Sequence, residues 1–267
     1  MKNVIIRSIS GIVYVALIVA GIFFGLNTYY ALALILAIAA TVEFHKIIDS
    51  DKVPSINLII DELIAISIIT IPFYVSKFTF AFSICLIIIR LIIQLYIKKG
   101  NPIKELGNSA HAQLYIALPL AISVYLYSVT DAILVFSLFL FIWLNDTGAF
   151  CIGILFGKHR LFLRISPKKS WEGFWGGLFV CLIVAYILKS FEIIDTELGL
   201  IEYTALAAVI SVFATFGDLI ESMIKRSLNI KDSGNIIPGH GGILDRIDSL
   251  LLVSPAVIVF LIFIGNI

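Results

Sequence analysis

Residues 222–248 read SMIKRSLNIKDSGNIIPGHGGILDRID, and this polar stretch separates two apolar segments near the C-terminal end of the chain. The segments on either side, residues 203–221 and 249–266, approach the length of about 20 residues that a helix needs to cross a bilayer. Further apolar segments of this kind occupy residues 8–25, 29–48, 56–75, 78–97, 112–129, 132–155 and 173–190. The sequence therefore predicts an all-α polytopic integral membrane protein with about nine transmembrane helices.

The composition favours the same fold class. Hydrophobic residues make up 60% of the 267 residues and charged residues only 14%, whereas a soluble domain is typically about half apolar. No ten-residue alternating pattern suggests an outer-membrane barrel. Cys85, Cys151 and Cys181 lie in apolar segments without paired spacing, which indicates core residues rather than a disulfide framework.

The basic residues are distributed unevenly among the predicted connections. If the N-terminus is cytoplasmic, all Lys and Arg except Lys77, Lys189 and Arg90 fall on the inner side. Because cytoplasmic loops carry an excess of Lys and Arg, we predict a cytoplasmic N-terminus and an outside C-terminus. Chain size and the lack of a targeting segment favour the bacterial cytoplasmic (inner) membrane, with an organelle membrane as the alternative.

The polar segment 98–111 divides the predicted helices into two groups. We predict an N-terminal transmembrane bundle of about four helices at residues 1–100. A C-terminal catalytic transmembrane part of about five helices follows at residues 101–267. We expect its loops 156–172 and 222–247 to face the cytosol.

Four aspartates of the C-terminal part are candidate metal ligands: Asp146, Asp218, Asp245 and Asp248. All are expected in the inner half of the membrane, with Asp245 and Asp248 where the ninth span begins. These two share one helical face because they are three residues apart. A charge at the centre of a lipid-facing helix costs about 2.5–3.5 kcal/mol, so we expect these groups to face a cavity, a partner or an ion. Mg²⁺ commonly binds one or two carboxylates together with substrate phosphates. The alternative is ion pairing with neighbouring Lys and Arg.

The polar stretch also contains candidate phosphate-binding groups. Asp218, Ser222 and Lys225 have the spacing of one helical face. His240 can contact phosphate, act as a base or bond within a turn. The stretch contains three glycines, Gly239, Gly241 and Gly242, which would let backbone N–H groups approach an anion. The run is not a Walker A sequence, and the alternative is an ordinary turn between helices.

A second inner loop, residues 157–177, reads GKHRLFLRISPKKSWEGFWGG. A basic strip of this kind alone indicates positive-inside bias or attraction to anionic lipid. Ser170 has the position of a helix N-cap, with Glu172 in the first turn. Because Lys168 and Lys169 come just before this helix N-terminus, they predict an anion site.

The polar stretch closely resembles the signature of the phosphatidate cytidylyltransferases, also called CDP-diacylglycerol synthases. The sequence agrees with that signature at Ser222, Lys225, Arg226, Lys231, Asp232, His240, Gly241, Gly242, Asp245, Arg246 and Asp248. LNDTGAF at residues 144–150 and SPKKSWEG at residues 166–173 also look like segments of this family. The resemblance covers roughly the C-terminal half of the chain.

The resemblance implies that CTP and phosphatidate react to give CDP-diacylglycerol and pyrophosphate. It implies a divalent cation, usually Mg²⁺, with a second cation left open, and it also implies a homodimer; no nucleic-acid partner is expected. A phosphate monoester already carries about −1.5 to −2 charges at neutral pH, so the lipid nucleophile needs no strong general base. The chemical difficulty is to bring two anions together, which calls for metal and cationic side chains.

We therefore hypothesise direct in-line attack of the lipid phosphate on the α-phosphorus of CTP. The predicted metal ligands are Asp218, Asp245 and Asp248, with Asp146 as a further ligand or as the buried partner of a cation. The predicted catalytic residues are Lys225, Arg226, Lys231, Asp232, His240 and Arg246. The predicted substrate-binding residues are Ser222, Gly239, Gly241, Gly242, Lys168, Lys169 and Ser170.

Three other classes of protein compete with this hypothesis. The CDP-alcohol phosphatidyltransferases are also small helical membrane proteins with clustered aspartates, but their aspartate-rich motif is absent from the sequence. An ion-coupled transporter would use intramembrane acids, yet these acids collect at one membrane face and no inverted repeat is visible. A structural membrane subunit would leave the polar stretch unexplained.

Overall fold

The computed structural model of the chain describes residues 2–48, 55–74, 76–98, 100–237, 239 and 241–267. The helices within these residues are α1 Lys2–Phe23, α2 Leu26–Ile48, α3 Ser55–Phe73, α4 Lys77–Tyr96, α5 Pro102–Ala112, α6 Leu118–Val129, α7 Ala132–Phe156, α8 Trp171–Ser190, α9 Leu200–Ser227 and α10 Leu244–Phe263. A π-helical turn, Gln113–Ala117, joins α5 to α6. Two strands, β1 Arg160–Phe162 and β2 Ser166–Ser170, lie between α7 and α8.

Most of these helices are suited to a bilayer. In the part of the chain that the structure describes, eight helices are long and apolar enough to cross a membrane, by length and composition, and Ser8–Phe23 is a shorter apolar helix. The predicted all-α polytopic membrane fold is confirmed at this level. The number of nine spans and the orientation of the two termini remain predictions.

The polar segment 98–111, predicted to connect two groups of helices, is itself largely helical. Helix α5 begins inside it and continues through the π-helical turn into α6, so that Pro102–Val129 forms one helical segment. Asn101 caps this helix by accepting a hydrogen bond from the backbone N–H of Ile103 at 3.0 Å. Pro102 occupies the first helical position, where its missing N–H has no intrahelical role.

The two predicted cytosolic loops are also more ordered than expected. Helix α9 runs for 28 residues to Ser227, so the beginning of the predicted loop 222–247 is helical. Within the predicted loop 156–172, β1 and β2 pair as an antiparallel hairpin, with Arg160 opposite Ser170 and Phe162 opposite Ser166. The all-α prediction did not include this short hairpin.

Two compact units can be distinguished by their internal contacts. The first contains Met1–Ser128 and Asp232–Arg246, and the second contains Val129–Lys231 and Ile247–Ile267. The division predicted near residue 100 remains a prediction.

The first unit contains a buried polar network centred on Asp61 of α3. Arg90 Nε of α4 donates to Asp61 Oδ1 at 3.2 Å, and His45 Nε2 of α2 lies 3.1 Å from Asp61 Oδ2. Ser109 Oγ of α5 also donates to Asp61. Arg90 Nη1 donates to Gln94 Oε1 at 2.8 Å. The network thus links α2, α3 and α4 through ionisable side chains and α5 through the hydroxyl of Ser109. Charges inside a membrane are costly unless they are paired in this way.

We expect Asp61→Asn to destabilise the protein by about 3–5 kcal/mol, because it leaves the buried Arg90 without its counter-charge. The midpoint of chemical unfolding in detergent measures this effect. Asp195→Asn removes the same charge from an exposed position and should change stability by no more than about 0.5 kcal/mol. Equal midpoints for the two variants would show that the network does not stabilise the fold.

In the second unit, α7 packs closely against α8 through glycines. A Cβ atom on Gly177 would lie 2.8 Å from the backbone oxygen of Asn145, and one on Gly173 would lie 2.8 Å from that of Ala149. Small residues at a helix–helix interface let two backbones approach in this way. Since Gly173 belongs to the first turn of α8, this packing also holds the end of the hairpin close to α7.

Candidate functional site

A cavity of about 570 Å³ in the second unit brings together charged groups that are far apart in the sequence. Its walls include Asp146 of α7 and Asp218 of α9, and the hairpin contributes Arg160, Lys168 and Lys169. The apolar part of the wall includes Ala149, Phe150, Ile154 and Phe174. This volume is typical of small-molecule sites, and the mixture of cations and carboxylates suits a phosphate ligand with an accompanying cation.

The hairpin, which was not predicted, leads directly into α8, whose start at Trp171 agrees with the helix start predicted from SPKKSWEG. Ser170 Oγ accepts a hydrogen bond from the Gly173 N–H at 3.1 Å, which confirms Ser170 as the N-cap. The Trp171 N–H donates to His159 O at 2.9 Å, and His159 Nδ1 lies 2.6 Å from Glu172 Oε1. These contacts hold β1 and β2 together at the end where Lys168 and Lys169 line the cavity. Substrate binding by Lys168, Lys169 and Ser170 remains a prediction.

Asp218 connects the hairpin to α9. Lys169 Nζ lies 2.7 Å from Asp218 Oδ2, and Ser222 Oγ donates to Asp218 Oδ1 at 3.1 Å. The predicted alignment of Asp218 with Ser222 along one helical face is therefore confirmed. Lys225, the third member of that row, forms its ion pair with the buried Glu221 one turn earlier.

Asp248 is a third aspartate that interacts with Asp146 and Asp218 in the second unit. It interacts electrostatically with Asp218, Asp146 and Lys225, and its Oδ1 accepts a hydrogen bond from the Ser249 N–H at 2.6 Å. Neighbouring carboxylates repel one another, and this repulsion is relieved when a cation lies between them. Asp146 and Asp218 line the cavity, and Asp248 is a third carboxylate that interacts with both of them.

The described residues contain no group of three or more His, Cys, Asp and Glu side chains arranged to hold a metal ion by themselves. Mg²⁺ needs fewer protein ligands, because it usually keeps several waters and takes the remaining oxygens from substrate phosphates. The carboxylates of Asp146 and Asp218 on the wall of one cavity fit this requirement. The assignment of metal ligands remains a prediction.

Asn145 is a polar residue next to this cavity that the sequence analysis did not assign. It is buried, its Nδ2 donates to Thr215 Oγ1 at 3.1 Å, and its Oδ1 accepts from Ser211 Oγ at 2.7 Å. Both Asn145 and Thr215 line the cavity. An amide inside an otherwise apolar span, directly before Asp146, was the signal available in the sequence. The network fixes α7 against α9 and so determines the position of Asp146.

The glycine-rich part of the polar stretch belongs to the first unit and forms a turn. The Ile237 N–H donates to Gly241 O at 3.0 Å. Gly239 and Gly241 have φ angles of +73° and +86°, a region that favours glycine. The Gly242 N–H donates to Asp245 Oδ2 at 2.8 Å, and the Ser233 N–H donates to the same oxygen at 3.0 Å. The ordinary-turn alternative thus describes the observed structure, and substrate binding by these glycines remains a prediction.

The other predicted residues have different surroundings. Lys231, Asp232, Arg226 and Arg246 are exposed. Arg226 Nη1 donates to Ile230 O at 3.0 Å, and Tyr14 donates from its hydroxyl to Arg246 O at 2.9 Å. His240 lies outside the described residues.

Comparison with known proteins agrees with the resemblance found in the sequence. A model of the Cytidylyltransferase family matches residues 5–264. Proteins named phosphatidate cytidylyltransferase from Staphylococcus epidermidis, Staphylococcus saprophyticus and Staphylococcus aureus are 45%, 48% and 47% identical to the chain over 124 residues. Each match covers 46% of this chain and 47% of the relative, so the chain spans about half the length of the curated relatives it matches.

Proposed function

Because the chain belongs to the Cytidylyltransferase family, we propose that it transfers a cytidylyl group from CTP to phosphatidate and releases pyrophosphate. The names of the staphylococcal relatives support phosphatidate as the acceptor. The observation that carries the proposal is the cavity in which Asp146 and Asp218 face Arg160, Lys168 and Lys169. Such a site suits a reaction whose two substrates are both phosphate anions.

In the proposed reaction, an oxygen of the phosphatidate phosphate forms a bond to the α-phosphorus of CTP. The bond from that phosphorus to the oxygen bridging to the β-phosphate breaks, and pyrophosphate leaves with its electron pair. Arg160, Lys168 and Lys169 would reduce the repulsion between the two substrates and orient their phosphates, which is the main task of a phosphoryl-transfer site. No side chain needs to accept a proton, because the attacking phosphate is already an anion.

A divalent cation is part of this proposal, with Mg²⁺ as the expected ion and a second cation left open. Asp146, Asp218 and Asp248 are the residues of the second unit that would hold it, and when bound it would neutralise triphosphate charge. Arg226 would add positive charge at the end of α9, and the catalytic role of Lys225, whose charge is paired with that of Glu221, stays a prediction. The roles that the family resemblance assigns to Lys231, Asp232, His240, Asp245 and Arg246 stay predictions.

The apolar helices and the staphylococcal relatives indicate a multi-pass bacterial membrane protein. We propose that it lies in the cytoplasmic membrane as a homodimer, with its site facing the cytosol where CTP is available.

The test is pyrophosphate release by the detergent-purified protein supplied with CTP, phosphatidate and Mg²⁺. We expect release only when all three are present, and the lipid product should contain one cytidylyl group. Release from CTP without phosphatidate would indicate a hydrolase or a covalent route and contradict direct transfer. An absence of release by folded protein would contradict the proposed function.

A further inference from the structure

Glu43 of α2 is a buried carboxylate to which the proposed reaction assigns no role. Its side chain is 2% exposed, and its Oε2 accepts a hydrogen bond from the Leu244 N–H at 2.9 Å and from Ser233 Oγ at 3.3 Å. Leu244 is the first residue of α10, where backbone N–H groups have no intrahelical acceptor and negative charge is favourable. Glu43 therefore caps α10 from a helix 201 residues earlier in the chain.

Two glycines of the polar stretch leave space for this carboxylate. A Cβ atom on Gly234 would lie 2.6 Å from Glu43 Oε1, and one on Gly242 would lie 2.8 Å from the same oxygen. Neither glycine has a positive φ angle, unlike Gly239 and Gly241. Gly234 and Gly242 are therefore required for the space they leave rather than for their backbone conformation, and the anion they accommodate is a side chain of the protein itself.

The contacts of Glu43 lead directly to Asp245. Ser233 donates its hydroxyl to Glu43 and its backbone N–H to Asp245. Gly242 lies against Glu43 and donates its N–H to Asp245. The same two residues thus contact both carboxylates, so a movement of Glu43 would be transmitted to Asp245 through two separate contacts.

We propose that Glu43 is a positioning residue that holds the 232–246 segment, and through it the Asp245 carboxylate, in the conformation used for cytidylyl transfer. This inference rests on the proposed function. Glu43 acts through Ser233, Gly242 and Leu244 and does not itself contact the substrates. Burying a carboxylate among neutral donors in an apolar unit costs free energy. In this proposal, the buried carboxylate orders the polar 232–246 segment.

The first arm of the experiment measures kcat and KM for CTP in a double-mutant cycle that combines Glu43→Ala with Gly234→Ala. Glu43→Ala should lower kcat by about 100-fold, the size of effect expected when a reacting group is displaced by about 1 Å, with a smaller change in KM. Gly234→Ala should also lower kcat alone, but it should add little to Glu43→Ala, because that truncation frees the space for the new methyl group. Glu43→Gln, which keeps an acceptor oxygen, should retain more activity than Glu43→Ala.

The control for this arm is Thr41→Val. Thr41 is fully buried on the same helix, so the variant tests whether any change in that buried part of α2 lowers kcat. We expect unchanged kinetic constants. The proposal would be overturned if the decreases in kcat caused by Glu43→Ala and Gly234→Ala multiplied in the double variant. It would also be overturned if Thr41→Val lowered kcat as much as Glu43→Ala.

The second arm measures hydrogen exchange of backbone amides and does not depend on activity. Glu43→Ala should accelerate exchange in the 232–246 segment while exchange in α7 and α8 stays as in the unsubstituted protein. Unchanged exchange in that segment, or equal acceleration throughout the chain, would show that Glu43 has no specific positioning role. If the unsubstituted protein releases no pyrophosphate, the proposed function fails, and this arm still decides whether Glu43 orders the segment.

Discussion

Asp218→Asn is expected to reduce pyrophosphate release by about 10²–10³-fold at saturating CTP and phosphatidate, a loss typical of removing one strong electrostatic contact from a reaction site. Asp218 accepts a hydrogen bond from Ser222 and forms an ion pair with Lys169 on the wall of the cavity. Asparagine keeps the volume of the side chain but removes its charge, and with it the proposed attraction for Mg²⁺. The measurement is the initial rate of release as a function of Mg²⁺ concentration.

The control for Asp218→Asn is the exposed Asp195→Asn, which changes the same chemical group outside the cavity and should leave the rate unaltered. Normal turnover of Asp218→Asn at the lowest Mg²⁺ concentration that saturates the unsubstituted protein would contradict the metal assignment. Recovery of activity only at much higher Mg²⁺ would support it, because a weakened cation site is then filled by mass action.

Lys169→Met should lower kcat/KM for CTP by about 100-fold, a loss of about 2.7 kcal/mol of transition-state stabilisation. Lys169 is the cation of the cavity wall that contacts Asp218, with Nζ 2.7 Å from the carboxylate oxygen. Its removal takes one positive charge from the proposed phosphate site and leaves Asp218 without this partner. Methionine keeps much of the aliphatic length, so packing around the site should change little.

Lys158→Met is the matched control for Lys169, since Lys158 is exposed just before the hairpin. We expect kcat/KM for this variant within about twofold of the unsubstituted protein, as for most substitutions of exposed charges. The combination of Lys169→Met with Asp218→Asn should cost less than the product of the two single effects, because the residues are in direct contact. A fully multiplicative result, or an unchanged kcat/KM for Lys169→Met, would exclude a joint role.

The features predicted correctly from the sequence depend on short-range rules. The length of the apolar segments indicated a polytopic helical membrane protein. The Ser170 cap and the contact between Asp218 and Ser222 each join residues within four positions of one another, where helix geometry fixes the neighbours. Such contacts need no knowledge of how helices pack.

The features that were missed depend on composition or on long-range packing. Helix α5 lies in a segment predicted to be a connection because its sequence is polar, although Asn101 and Pro102 are typical of a helix start. The contact between Glu43 and Leu244 joins residues 201 positions apart, so no local pattern indicates it. The glycines of the polar stretch are a second example. At Gly241 glycine is favoured by a positive φ angle, whereas at Gly242 it is favoured because neighbouring atoms leave no space for a Cβ atom, and the sequence alone does not distinguish these two reasons.

The length of α9 has a consequence for how the lipid substrate arrives. Its 28 residues give a helix about 42 Å long, whereas the hydrocarbon core is about 30 Å thick. Asp218 lies about 27 Å along the axis from Leu200. If α9 crosses the bilayer as predicted and Leu200 lies at the outer edge of the hydrocarbon core, Asp218 lies near the inner edge, close to the phospholipid phosphates. In the proposed reaction, phosphatidate can therefore reach the site by lateral diffusion and need not leave the bilayer. The rate would then follow the mole fraction of phosphatidate in the membrane, and inert lipid would slow the reaction by surface dilution alone.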